Sequence, residues 1–235
     1  MIKKEALIFG CKGALGSGVT DVFRNAGFDR LYLFDVKIEN RSDEKEIWVK
    51  TGDLATAGEA ARAFEVIEPA QGKLLFLFST VGGFVGGKKV EETTSEEVSK
   101  MISMNYLSSF NILAEFKKKV EDSSGGSAMF TSAYSAFSGE AGRAAYGASK
   151  AALSYLVEAG AEEGREIGLS VNAIAPYILD TPANRDWINP GLVETLIKPT
   201  ETGKFILSVF DNYNFISGNI FKLRYRFRNI YKDTQ

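Results

Sequence analysis

Ala6-Leu7-Ile8-Phe9-Gly10-Cys11-Lys12-Gly13-Ala14-Leu15-Gly16 is a short apolar run that breaks into a glycine-spaced turn, with a helical pattern following through Val19, Val22 and Phe23. The apolar run suits a strand buried on both faces. Gly10, Gly13 and Gly16 give GxxGxxG. Their uses are a tight turn, close backbone approach to a pyrophosphate, and close packing of helix on strand. The helix N-terminus adds amide donors and a positive dipole end, so Lys12, Ala14 and Leu15 join the glycines as candidate phosphate contacts. A second apolar run, Leu31-Tyr32-Leu33-Phe34, ends in Asp35. That acid falls about 20 residues beyond the turn, where a carboxylate binds a ribose 2′-hydroxyl and repels a 2′-phosphate. NAD(H) is therefore expected over NADP(H). Lys12 and Lys37 argue weakly the other way, since either reaches a phosphate. The plainer use of Asp35 is a strand-end Asx turn.

Outward from this start, strand and helix patterns alternate with short connectors. Strands are expected near 5–9, 31–35, 47–50, 73–79, 126–132, 169–174 and 219–225, and helices near 15–26, 55–68, 94–119, 143–164 and 200–209. The expectation is one α/β domain over residues 1–235, a doubly wound parallel sheet with helices on both faces. Such a sheet binds its ligand at the carboxyl ends of its strands. Asp53-Leu54 follows the third strand; Asp53 either accepts from an adenine amino group or N-caps the helix near Ala55. Ser79-Thr80-Val81-Gly82-Gly83-Phe84 follows the fourth, where the small residues around Gly82 let a ribose approach the backbone.

Composition narrows the chemistry. The chain has 235 residues, 45% hydrophobic and 25% charged, with a formal net charge of −2. That balance makes no case for nucleic-acid or anionic-membrane binding. No apolar run approaches the ~20 residues that span a bilayer, and the start lacks a signal peptide's apolar core, so the cytoplasm is the expected compartment. The single cysteine, Cys11, permits no intrachain disulfide. There is no histidine. Histidine bases, Ser-His-Asp triads and His-ligated metals are thereby excluded, and no metal is expected. Acid–base work falls to Tyr, Lys, Asp or Glu.

Tyr146-Gly147-Ala148-Ser149-Lys150 supplies the tyrosine and the lysine. Four apart on a helix, they project from one face. A cation beside a phenol favours the phenolate, which would make Tyr146 a general acid near neutral pH. An exposed Tyr and a solvated Lys are the bland alternative for an isolated YxxxK.

Taken together, the glycine turn, Asp35, Asp53-Leu54, the loop at Gly82, Asn105, Tyr146/Lys150 and Val171-Asn172-Ala173-Ile174-Ala175-Pro176 resemble the short-chain dehydrogenase/reductases over essentially the whole chain. The resemblance implies an NAD(P)-dependent oxidoreductase acting on a small molecule, as a homodimer or homotetramer. It makes Tyr146 the proton donor, and Lys150 the group that holds the nicotinamide ribose and lowers the tyrosine pKa. Asn105 would anchor a water in a proton relay. The backbone beyond Pro176, from Ile178 to Thr181, would lie near the nicotinamide carboxamide.

The chain also departs from the family pattern. The family's catalytic serine falls at Ala133. Ser132 is adjacent but faces the other way on a strand, unless a bulge turns it inward; Ser135 is the second substitute. The alanine, Gly82-Gly83-Phe84 and Leu179-Asp180-Thr181-Pro182-Ala183-Asn184-Arg185 look like the dihydropteridine reductase branch. There the substrate is an electron-poor imine needing less oxyanion stabilisation than a ketone. Phe84, Tyr177 and Trp187 are candidate stacking residues for a planar ring, with Ala133 and Asn184 beside them. A general carbonyl or alcohol dehydrogenase, and a non-catalytic NAD-binding sensor, stay open. Finally, Phe221 to Arg228 alternates apolar and basic residues, which on a strand puts four cations on one face. A charge-protected edge is the simple reading, an anion or RNA contact the sharper one.

Overall fold

The computed structural model describes residues 2–226. Strands β1 (Lys3–Phe9), β2 (Arg30–Asp35), β3 (Arg41–Ser42), β4 (Glu46–Lys50), β5 (Lys73–Ser79), β6 (Gly126–Thr131), β7 (Leu169–Pro176) and β8 (Ile220–Leu223) form one sheet. Its order is β3-β4-β2-β1-β5-β6-β7-β8. All pairings are parallel except β3 with β4. The sequence reverses direction at β1/β5, which opens a crevice above the carboxyl ends of those strands.

Helices α1 (Ala14–Phe23), α2 (Ala57–Phe64), α3 (Ser95–Ile102), α4 (Ser108–Glu121), α5 (Ala144–Gly164), α6 (Pro182–Arg185) and α7 (Pro199–Asp211) cover both faces. One core layer holds Leu7, Phe9, Leu75 and Leu77 against Phe64, Phe116, Leu153 and Val157. The other holds Ala6, Ile8, Phe76 and Phe78 against Val19, Phe23 and Phe210. Consecutive residues of β1 thus feed opposite layers, which is why its sequence is apolar without alternation. Phe9 stacks on Phe34 at 4.1 Å between ring centres, directly beneath the glycine turn.

The structure corrects the expected elements in several places. The helix expected over 94–119 is interrupted by a π-helical segment, Ser103–Leu107, whose wider turn carries Asn105. β3 was not anticipated; Arg41 and Ser42 are exposed and polar, so no apolar period marks them. The strand expected to reach 225 stops at Leu223. Its cations are also not one bare face: Lys222 lies over Phe137, Arg224 over Tyr134, and Arg226 pairs with Glu201 at 3.3 Å. Phe227 and Arg228 lie outside the described residues.

Candidate active site

Gly10 leaves β1 at φ 82°, a conformation that favours glycine. The amides of Gly10 and Cys11 then donate to the Phe34 carbonyl, tying the turn to β2. A Cβ on Gly16 would lie 2.0 Å from the Gly10 carbonyl oxygen, so α1 packs on the turn only without one. Gly13 differs: it is the N-cap of α1, exposed, with nothing nearer than 3.4 Å. Burial pushes the Cys11 thiol up to about 12, so it is no nucleophile.

A groove of about 410 Å³ runs above this turn, lined by Gly10, Lys12, Gly13, Ala14, Leu15, Asp35, Asp53, Leu54 and Gly82. The Asp35 carboxylate accepts from the amides of Lys12 and Lys37, each at 2.9 Å. The Asx turn is therefore real, and the carboxylate still borders the groove. Asp53 accepts from the Ala55 amide at 3.0 Å, while the N-cap of α2 is Thr56. Asp53 thus closes a turn ahead of the helix rather than capping it. The groove fits a dinucleotide. Bare backbone and a helix N-terminus would meet the pyrophosphate, and a carboxylate would meet a ribose. Gly82 must be glycine, because a Cβ there would sit 2.4 Å from Asn105 Oδ1 and 3.2 Å from Lys150 Nζ.

The groove opens into a second cleft of about 590 Å³, and Leu15, Thr80 and Gly82 line both. Tyr146 and Lys150 both line this cleft from α5. Lys150 is 5% exposed, and its Nζ donates to the Thr131 carbonyl at 2.7 Å. Burial pushes its pKa down to about 8. Burial also pushes the Tyr146 phenol up, with Arg143 opposing and Glu140 adding to the rise. The sequence suggested the reverse for the phenol. The reason is that the ammonium is spent on a carbonyl, while the phenol is packed edge-on against the Phe84 ring, 5.0 Å away.

Asn105 is completely buried. Its Oδ1 accepts from the Gly83 amide, and its Nδ2 donates to the Gly83 carbonyl and to Ser149 Oγ, each at 3.0 Å. Ser149 Oγ in turn donates to the Tyr146 carbonyl at 2.7 Å. Both amide protons of Asn105 are thereby committed to binding the Gly82–Gly83 loop to α5. The π-helical turn explains how one helix reaches across to do so.

Ser132 lines the cleft, but its hydroxyl lies 2.8 Å from Ser154 Oγ and donates to the Lys150 carbonyl at 3.1 Å. The second substitute, Ser135, donates to Glu140 at 2.9 Å. Ala133, 5% exposed, lines the cleft with no hydroxyl to offer.

The remaining wall is aromatic. Phe84, Tyr177 and Trp187 line the cleft and are 56%, 45% and 60% exposed. Tyr177 meets Tyr134 edge-on at 5.5 Å. Pro176 ends β7, and Ile178 and Thr181 follow it along the cleft. Asn184 also borders it, but its Nδ2 donates to the Leu179 carbonyl and holds its own loop. Arg143 was missed by sequence reasoning. It also lines the cleft, with its guanidinium 5.6 Å from the Phe84 ring centre. It is the N-cap of α5, three residues before Tyr146, a place that the sequence alone does not distinguish from any solvated charge.

The family model described as short chain dehydrogenase matches residues 4–191. The chain is a short-chain dehydrogenase. Among curated short-chain relatives, a dihydropteridine reductase of Dictyostelium discoideum is 29% identical over 190 residues, covering 80% of this chain and 79% of that protein. A 2-dehydro-3-deoxy-D-gluconate 5-dehydrogenase of Pseudoalteromonas atlantica is 27% identical, covering 76% and 73%. Among solved structures, ElxO with NADP bound has a TM-score of 0.82 at 21% identity, over 95% of this chain and 98% of that chain. This short-chain dehydrogenase is therefore an NAD(P)-dependent oxidoreductase. No helix among the described residues is long and apolar enough to cross a membrane.

Proposed function

We propose that this enzyme prefers NAD(H) and reduces a small planar substrate, with quinonoid dihydropterin as the first candidate. The observation that carries this reading is Ala133. An alanine stands at the position of the family's serine, and the hydroxyls of Ser132 and Ser135 are bonded to Ser154 and Glu140. A ketone reductase lacking that donor loses much of its oxyanion stabilisation. A conjugated imine develops less charge on oxygen and tolerates the loss. Exposed Phe84, Tyr177 and Trp187 suit a flat ring. Similarity to a dihydropteridine reductase points the same way. The carboxylate of Asp35 supports NAD(H), because it would repel a 2′-phosphate.

In this mechanism the bound nicotinamide supplies the hydride. Tyr146 donates the proton to the substrate, and its raised pKa keeps it protonated until the transfer. Lys150 is a cation at neutral pH and binds the nicotinamide ribose. Asn105 fixes the Gly82–Gly83 wall. The exposed faces of α4 and α5, with Phe110 and Tyr155 outward, would carry a homodimer or homotetramer interface.

The test is NADH oxidation by purified protein with quinonoid dihydropterin, beside small ketones and diketones, repeated with NADPH. Pterin turnover at least about tenfold faster with NADH than NADPH is expected, with little on ketones; rapid ketone turnover without pterin activity would sink the reading.

A pH dependence follows from Lys150. A lysine pKa lowered to about 8 means the cation is lost as pH rises through that value. NADH affinity is expected to weaken between pH 7 and 9, and Lys150→Met to flatten the profile at the weaker limit. Fluorescence titration of NADH checks both. An unchanged slope in the variant would remove Lys150 as the titrating group.

A further inference from the structure

We propose that Arg143 is the specificity-determining residue of the substrate cleft, and that it selects a flat ring carrying an anionic oxygen group. The inference rests on this cleft being the substrate site, though not on a pterin being the substrate. Among the described residues, the charged side chains that line the cleft are Arg143 and Lys150, and no carboxylate lines it. Lys150 is buried and donates to the Thr131 carbonyl, beside the shared boundary with the dinucleotide groove at Gly82. Arg143 is the charged group that reaches the open volume, with its side chain 31% exposed.

Its placement runs against local preference. Arg143 is the N-cap of α5, a 21-residue helix with no acid in its first turn. A cation at the positive end of a helix is disfavoured, where an acid or a hydroxyl would be favoured. Glu140 at 3.2 Å offsets part of that cost. The hydrogen bond to Ser135 Oγ and the ion pair to Glu140 both come from Nη1. A guanidinium has five donors in a fixed fork, so donors remain for a ligand. The geometry aims them usefully. Arg143 lies 5.6 Å over Phe84, and Phe84 lies 5.0 Å from the ring of Tyr146. A flat substrate resting against Phe84 would present its edge to Arg143 while its reacting atom faces Tyr146. Charge-assisted pairing to that edge is the strong form of a hydrogen bond.

Isatin and isatin-5-sulfonate share one flat ring and one reactive ketone and differ by one anionic group. Their Kd values are measured by calorimetry on the NAD⁺-saturated full chain, where no turnover intervenes. The expected preference for the sulfonate is about tenfold, from one charge-assisted contact. Arg143→Gln is expected to abolish it, Arg143→Lys to keep part of it, and Glu140→Gln to enlarge it. Equal affinities in the unaltered protein, a preference that survives Arg143→Gln, or no binding of either probe would each overturn the proposal. If Arg143→Gln does not fold, the unaltered ratio and Glu140→Gln decide. Pterin turnover is scored separately, so either reading can fail while the other stands.

Discussion

Replacing Tyr146 with phenylalanine is expected to cut turnover by between about 100- and 10,000-fold while leaving NADH binding within about twofold. The phenol lines the cleft beside Lys150, and the other acid–base candidates weighed for this step are absent or bonded elsewhere. The chain has no histidine, the Ser132 hydroxyl faces Ser154, and Lys150 is bonded to a backbone carbonyl. Phenylalanine keeps the edge-on packing against Phe84, so the fold and the cofactor groove should be undisturbed. The measurement is kcat with the best substrate found, alongside the NADH Kd. Retention of more than a tenth of the turnover would mean that water or another group delivers the proton.

The second large effect is structural. Gly16→Ala places a Cβ 2.0 Å from the Gly10 carbonyl oxygen and 2.8 Å from its carbon, both main-chain atoms held by β1 and β2. No side-chain rotation relieves that contact. A cost of about 3 kcal/mol or more is expected, a fall in Tm on the order of 10 °C for a chain of this size. Gly13→Ala is the control. Its Cβ meets nothing closer than 3.4 Å, so stability should hold while NADH affinity drops, because the methyl enters the groove. Thermal melts of the two variants side by side separate the glycine that packs the turn from the glycine that faces the ligand. Equal melts would show that α1 can shift to absorb the methyl.

The sheet was legible where strands are buried on both faces. Ala6–Phe9, Leu31–Phe34 and Leu74–Phe78 are unbroken apolar runs. β3 was not legible, since two exposed polar residues leave no period. The break at Ser103–Leu107 was hidden because a π turn adds a residue without disturbing the apolar spacing much. In the site, residue types and spacing brought the glycine turn, Asp35, Tyr146 and Lys150 to one crevice. Side-chain direction was harder. Whether Ser132 turned inward depended on a bulge that sequence does not encode plainly. That the Asn105 amide ties the Gly83 loop to α5 was not legible either, because residue type and spacing do not show which partners a buried amide finds. Arg143 escaped because one basic residue ahead of a helix looks like any solvated charge.

Leu15, Thr80 and Gly82 face two ligand sites at once. Whatever occupies the dinucleotide groove therefore becomes part of the wall of the substrate cleft. An order of arrival is the expected result of that shared boundary: the dinucleotide would enter first and depart last, and the organic substrate would meet a complete surface only in between. The same boundary bears on inhibitor design. A compound shaped to the substrate cleft alone would lack the wall that the dinucleotide supplies, whereas one that bridges past Thr80 would span both sites at once.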